Sequence, residues 1–300
     1  MKKILKSIGA IIGSCIVAAC GNLQAVKPAQ FPAQLTGSTI ELSANRPSKA
    51  EVAPRTYEIP GRSMFFRQTS GGSLAVGLLL GPIGVLANSV NIDRITDSMG
   101  KSGTDSSLYT VDALTEARMA WAMAKPTPDG ASVSDTVTVK PFILLYVADE
   151  ESGINTMVSA RVESSRSLSD EHSKPWVGIY SYVLSDTLPL DALKGPMSAE
   201  KLEQYRASVR IGYSEIRSEL ERDLKGGTPP KRKIAWVKSP VLGLGLPGDI
   251  EVDQSGRLSL RVSGKNMGVL ADPLASYSVF VFPSSNQYTF ENGPVDRQTQ

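Results

Sequence analysis

The sequence predicts an α+β fold: a mainly antiparallel sheet covered by two amphipathic helices and preceded by a flexible N-terminal tether. Three observations carry that expectation. From Ser198 to Lys225, the residues Leu202, Tyr205, Val209, Tyr213, Ile216, Leu220 and Leu224 recur every three or four positions, the period of a helix with one apolar face. Such a face normally packs on a sheet. Short segments rich in β-branched and aromatic residues, bounded by turn residues, supply strands on both sides of that helix. A content of 41% hydrophobic and 21% charged residues, without an internal repeat, is that of a globular chain.

Taken in order, the chain opens with Lys2, Lys3 and Lys6, then an uncharged, mostly apolar run of 13 residues from Ser7 to Ala19. A bilayer span needs about 18 or more. The run closes in Val17-Ala18-Ala19-Cys20, followed by Gly21. A basic start, a short apolar core and small residues before a cut follow the secretory pattern. With a cysteine directly after those small residues, positions 1–21 resemble the lipobox leader of bacterial lipoproteins.

That resemblance implies a signal peptide over 1–19 and a lipidated N-terminus at Cys20. Cys20 would carry a thioether-linked diacylglycerol and, in Gram-negative bacteria, an amide-linked acyl chain such as palmitate. Gly21 stands where an aspartate would retain the protein in the inner membrane, which implies the outer membrane, on its periplasmic face. Two or three acyl chains hold firmly where one binds reversibly. Cys15 would leave with the leader. The mature chain then has no free thiol, which excludes cysteine catalysis, a thiolate metal site and an internal disulfide. Losing Lys2, Lys3 and Lys6 takes 32 basic residues to 29 against 30 acidic ones, a formal charge of −1. The basicity belongs to the leader, and no nucleic-acid partner is expected.

Residues 20–55 are polar, with Pro28, Pro32, Pro47 and Pro54, and read as the tether. Thr39–Leu42 is a short strand within it. A single globular domain is expected over 56–300. Thr56–Gln68 is extended. Leu74–Ala87 is an apolar run of 14 residues with Gly77, Gly81, Pro82 and Gly84, too short to span a bilayer and suited to the core, to an interface or to a membrane contact. A polar loop follows over Asp93–Ser107. Val111–Lys125 is helical, capped by Thr110 or Asp112 and stopped at Pro126. Thr136–Ala148 is a strand, Asp149–Gly153 a turn, and Asn155–Val162 an antiparallel return. Trp176–Leu184 adds a strand. Ser198 caps the long helix, and Gly226-Gly227 with Pro229-Pro230 ends it. Ile234–Val237, Asp249–Val252, Arg257–Val262 and Tyr277–Phe282 complete the sheet, with a hairpin turn at Asp253–Gly256.

Motif matches are bland. Gly243-Leu244-Gly245-Leu246-Pro247-Gly248 fits G-x-G-x-x-G, but a nucleotide loop opens a helix, and here a strand follows. Ser98-x-x-Lys101 and Ser198-x-x-Lys201 fit an acylating-serine pattern. The first shares its lysine with Lys101-Ser102-Gly103, and Ser198 is needed as a cap. His172 is the only histidine and lies in a polar loop, which leaves no usual zinc site. Asp249, Glu251 and Asp253 alternate without the glycine of a calcium loop. They read as solvated acids beside a hairpin, as do Asp149, Glu150 and Glu151. Lys231-Arg232-Lys233 reads as a solvated strand start.

The expected chain is therefore not an enzyme: no catalytic residue, no cofactor and no metal site, with lipid attachment at Cys20 its one assigned site. The expected function is a cell-envelope lipoprotein, a structural or partner-binding module anchored in the outer membrane through acylated Cys20. Its partner would be an envelope protein or a second copy. Two other readings stay open: a subunit of a secretion or pore assembly using the apolar Gly-rich segment 71–90, and an envelope enzyme whose carboxylate or hydroxyl chemistry forms no local motif.

Overall fold

A computed structural model describes residues 26–52, 56–68, 96–97, 101, 105–122, 135–147, 153–165, 175–226, 232–239, 244–267 and 275–296. Cys20, the apolar run 74–87, the acids 149–151, His172 and Lys231 lie outside the described residues.

The fold is α+β, as the sequence predicts. Among the described residues twelve strands form one sheet. They are β1 (Thr39–Leu42), β2 (Tyr57–Glu58), β3 (Met64–Gln68), β4 (Thr136–Val147), β5 (Ile154–Ser164), β6 (Val177–Val183), β7 (Lys233–Ser239), β8 (Leu244–Val252), β9 (Leu258–Ser263), β10 (Tyr277–Phe282), β11 (Thr289–Phe290) and β12 (Val295–Asp296). Their order is β11-β7-β8-β9-β10-β6-β5-β4-β3-β2, with β1 also on β4 and β12 also on β7. Pairing is antiparallel except for β1/β4, β3/β4 and β6/β10. Helices among the described residues include α1 (Lys49–Val52), α2 (Ala113–Ala122), α3 (Ala199–Leu224) and α4 (Gly264–Met267).

Alternation along the central strands sorts side chains to two faces. Val139, Val158, Tyr180 and Val279 join one apolar cluster, with α2 and α3 above it. Phe142, Met157, Ile179 and Leu260 belong to a second cluster on the opposite face. Burial on both faces is why Phe142–Val147 and β6 are nearly continuous in apolar residues instead of alternating.

Two prolines inside strands sit where the ladder has gaps. Val139 O accepts from Ser43 N and Ile143 N donates to Ser63 O, so the odd-numbered residues of β4 turn their backbone toward β1 and β3. Pro141 falls between the end of β1 and the start of β3, where no bond is lost. Pro247 faces Trp236, whose carbonyl is turned outward to Glu291 N. The proline nitrogen therefore points to the β9 side, before the β9 ladder begins at Asp249. The G-x-G-x-x-G stretch is thus largely strand, so β8 starts earlier than the expected Asp249.

On α3, Ser198 Oγ accepts from Lys201 N at 3.3 Å, and Tyr205, Val209, Tyr213, Ile216, Leu220 and Leu224 are buried. Gly226, at φ +62°, ends the helix. On α2, Asp112 is the capping residue, its Oδ1 accepting from Thr115 N at 2.9 Å. The two helices are locked together by Glu116, buried and paired with Arg210 at 2.6 Å, and by Trp121 Nε1 donating to Tyr213 O at 3.0 Å.

The N-terminal segment differs from the expected free tether over 20–55. Leu35 is buried in the core, and β1 pairs with β4. Ala29 N donates to Asp249 Oδ2 at 2.8 Å, Lys27 N donates to Asn266 Oδ1 at 2.9 Å, and Gly37 N donates to Leu224 O at 2.8 Å. Phe31 meets Trp176 and Tyr277 edge-on, at centroid distances of 5.3 and 6.0 Å. From Val26 onward this polar, proline-rich stretch is therefore packed on the domain. A few well-spaced apolar residues suffice to hold it when the backbone also finds partners.

Candidate functional site

Two features stand out, one at each end of α3. The first is a cleft of about 490 Å³ between the β6–α3 connection and the first turns of α3. That connection is pinned to its neighbours. Ile154 and Leu188 exchange backbone hydrogen bonds at 2.7 and 2.9 Å, Ser106 Oγ donates to Ala192 O, and Met197 N donates to Ser107 Oγ at 2.7 Å. Pro189 and Pro196 stiffen it. Because α3 starts beyond the end of β6, its first turns overhang, and the space between is lined by Leu184, Leu188, Pro189, Ala192 and Met197. Asp186, Asp191, Lys201 and Gln204 stand at its polar border.

Tyr205 also lines this cleft and is buried, and its hydroxyl has no hydrogen-bond partner. Burial pushes that phenol far above its ordinary range. Thr156, also buried, pulls the other way without reaching hydrogen-bond geometry, and its own hydroxyl is unpartnered. An apolar hollow of this size with a polar border suits an apolar group carrying a polar end.

The second feature is a charge network under the C-terminal half of α3. Arg261, the largest fully buried side chain among the described residues, reaches up from β9 and donates through Nη2 to Glu219 at 2.6 Å and to Asp223 at 3.5 Å. Arg257 donates to Glu219 at 2.8 Å and Glu215 at 3.0 Å, Ser259 Oγ to Glu219 at 3.0 Å, and Arg222 also to Glu219. Tyr180 and Tyr277 both donate to Asp223 Oδ2, at 2.9 and 2.8 Å. Burial, then the neighbouring Asp223 charge, drives both phenols upward. For Glu219 burial acts upward too, but Arg261, Arg222 and Arg257 outweigh it and hold the carboxyl down at about 2. The carboxylates are thus committed to ion pairs, and this network braces helix to sheet.

Sequence reasoning did not find this network, although a signal exists. Glu215, Glu219 and Asp223 recur every four residues beside the apolar stripe of α3, and Arg257-x-Ser259-x-Arg261 spaces three polar groups by two along β9 and the residue that enters it. Matching polar faces on a helix and the strand beneath it are what an internal ion network requires.

The motif residues separate. Ser198 and Lys201 do lie together at the cleft, with Ser198 acting as the cap. Lys101 is exposed and Ser98 lies outside the described residues. Asp249 is buried and holds Ala29 N, so the expectation of three solvated acids fails there. Glu251 pairs with Arg222 at 3.1 Å, and Asp253 closes the hairpin turn. Arg232 is half-buried and donates to Ala29 O at 3.5 Å instead of standing in solvent. Among the described residues no group of three or more His, Cys, Asp or Glu could hold a metal ion. No helix among them is long and apolar enough to cross a membrane.

No protein-family model, curated protein or solved structure matches the chain.

Proposed function

We propose that this chain is an outer-membrane lipoprotein of the periplasmic face, held by acyl groups on Cys20 and serving as a structural or partner-binding module. The single observation that carries the reading is Val17-Ala18-Ala19-Cys20 after a basic start and a 13-residue apolar run. The cleft beside α3 supports the partner-binding half, because it offers a preformed apolar hollow. Intact-mass analysis of protein from its own host tests the anchor: the expected species starts at Cys20 and carries two or three acyl chains. A Cys20→Ala chain should leave the membrane fraction. A product still starting at Met1, or an alanine variant that stays bound, would overturn the reading.

The apolar Gly-rich composition of 71–90 favours a second reading, a subunit of a secretion or pore assembly. Native mass measurement separates the two. A monomer in detergent that crosslinks to no neighbour through 71–90 rejects the assembly, and a defined oligomer supports it.

A further inference from the structure

The packed N-terminal segment determines which end of the domain a lipid at Cys20 would draw to the bilayer. Its grip lies at the C-terminal end of α3. Gly37 N bonds Leu224 O there, and Asp249 and Asn266 hold Ala29 and Lys27 through hydrogen bonds. From Cys20 to Lys27 is a span of seven residues. At full extension that is about 25 Å. The cleft lies at the other end of the same helix, by Ser198 and Lys201. Ser198 to Asp223 is about 38 Å along the axis at about 1.5 Å per residue. A leash shorter than the helix, fastened at one end of it, brings that end to the lipid.

The charge at this end suits such a contact. Lys27 is exposed beside Asn266, with exposed Lys265 next to it. Lys233 is exposed next to Arg232, which holds Ala29 O, and stands opposite the exposed Asp296 of β12, while Lys225 closes α3 with its Nζ 4.0 Å from Glu221, so the four lysines outnumber the two acids beside them. Exposed lysines near an anionic leaflet are attracted to it, and the attraction dies away within a Debye length. Contact by this end is therefore favoured over the domain lying on its side.

Resting on the reading that Cys20 is acylated, we infer that the end of the domain formed by the α3 C-terminus, α4 and Lys27 is a membrane-facing surface for anionic phospholipid. The cleft then opens away from the bilayer, toward soluble or envelope partners.

The test uses the chain from Cys20 onward, which contains every described residue and has one thiol. Cys20 is coupled to a maleimide lipid in vesicles of phosphatidylcholine with a minority of phosphatidylglycerol. Lysine acetylation is then compared between bound and free protein by mass spectrometry. Lys27, Lys225, Lys233 and Lys265 should slow by about threefold or more, while Lys194 and Lys201 keep their rates, as a basic end held at the surface requires. Protection of Lys194 and Lys201 as strong as that of the other four, or no protection anywhere, overturns the orientation. Because the lipid is attached chemically, either result is independent of whether the host acylates Cys20, which the intact mass decides.

Discussion

Three guanidiniums converge on Glu219, and a carboxylate so held has its proton affinity lowered from the ordinary 4.5 to about 2. The folded value is the depressed one. The stabilisation is therefore complete above about pH 4.5 and drains away as pH falls toward 2. A shift of that size corresponds to about 3 kcal/mol. Denaturant melts at pH 7, 4 and 3 should lose stability chiefly in the last step, and a Glu219→Gln chain should be less stable at pH 7 but flatter in the acid range. An unchanged acid slope in that variant would mean that another group carries the transition. Tyr205 presents the opposite case. Its hydroxyl is buried with no partner, whereas those of Tyr180 and Tyr277 are bonded to Asp223. Tyr205→Phe removes an uncompensated polar group and should raise stability by about 1 kcal/mol. Thermal melts check this, and a lower midpoint would mean that the hydroxyl has a partner in solution.

Among the elements, α3 shows best how a sequence pattern and a packing surface agree and where they part. Its stripe, cap and stop are all readable in the chain, because helical period, a serine cap and a glycine stop are local chemistry. Gly212 is not explained by the pattern. A Cβ there would overlap Val158 Cγ2 of β5 and stand 3.1 Å from Tyr182 Cδ1 of β6. The glycine lets the helix axis approach the sheet. Gly212→Ala should therefore destabilise by about 1–3 kcal/mol, although alanine is the better helix former by about 1 kcal/mol. Urea unfolding reads this directly, and a gain in stability would show that the helix can lift without loss. The strand β8 parts from its sequence in a different way. Gly243–Gly248 has turn composition, yet β7 pairs along Leu244–Gly248, and Pro247 is admitted because its nitrogen faces a gap. Strand partners distant in the chain decide such a segment. The same holds for Asp249 and Arg232, whose burial depends on a peptide group at Ala29, more than 200 residues away.

At the scale of the whole molecule, the chain's two ends of interest are joined by the segment from Val26 to Gly37. If it were a loose tether, a lipid at Cys20 would leave the domain free to turn. Packed as it is, it would set both the reach and the direction of such an anchor. Its hold is divided between backbone hydrogen bonds, the buried Leu35 at its far end, and one half-buried ring near its start, Phe31, against Trp176 and Tyr277. The ring is the side-chain contact nearest the leash, and a single substitution removes it. Phe31→Ala should weaken the segment by about 2 kcal/mol, less than a fully buried aromatic because the site is only partly enclosed. That loss is local. The amides of Ala29 and Gly37 should exchange about 30-fold faster, while those of β5 and β6, in the middle of the sheet, keep their protection. Hydrogen exchange followed by fragment mass measures both at once. Unchanged exchange at Ala29 would show that the hydrogen bonds to Asp249 and Asn266 hold the segment without the ring. A loss spread equally over β5 and β6 would show that the segment is a structural part of the core, not a clasp laid on it. With the clasp open, about ten more residues join the leash and lengthen it by about 35 Å. To the extent that the clasp opens, the variant should narrow the contrast between Lys265 and Lys201 on vesicles; an unchanged contrast would show that Leu35 and the hydrogen bonds of Lys27, Ala29 and Gly37 keep the orientation without the ring.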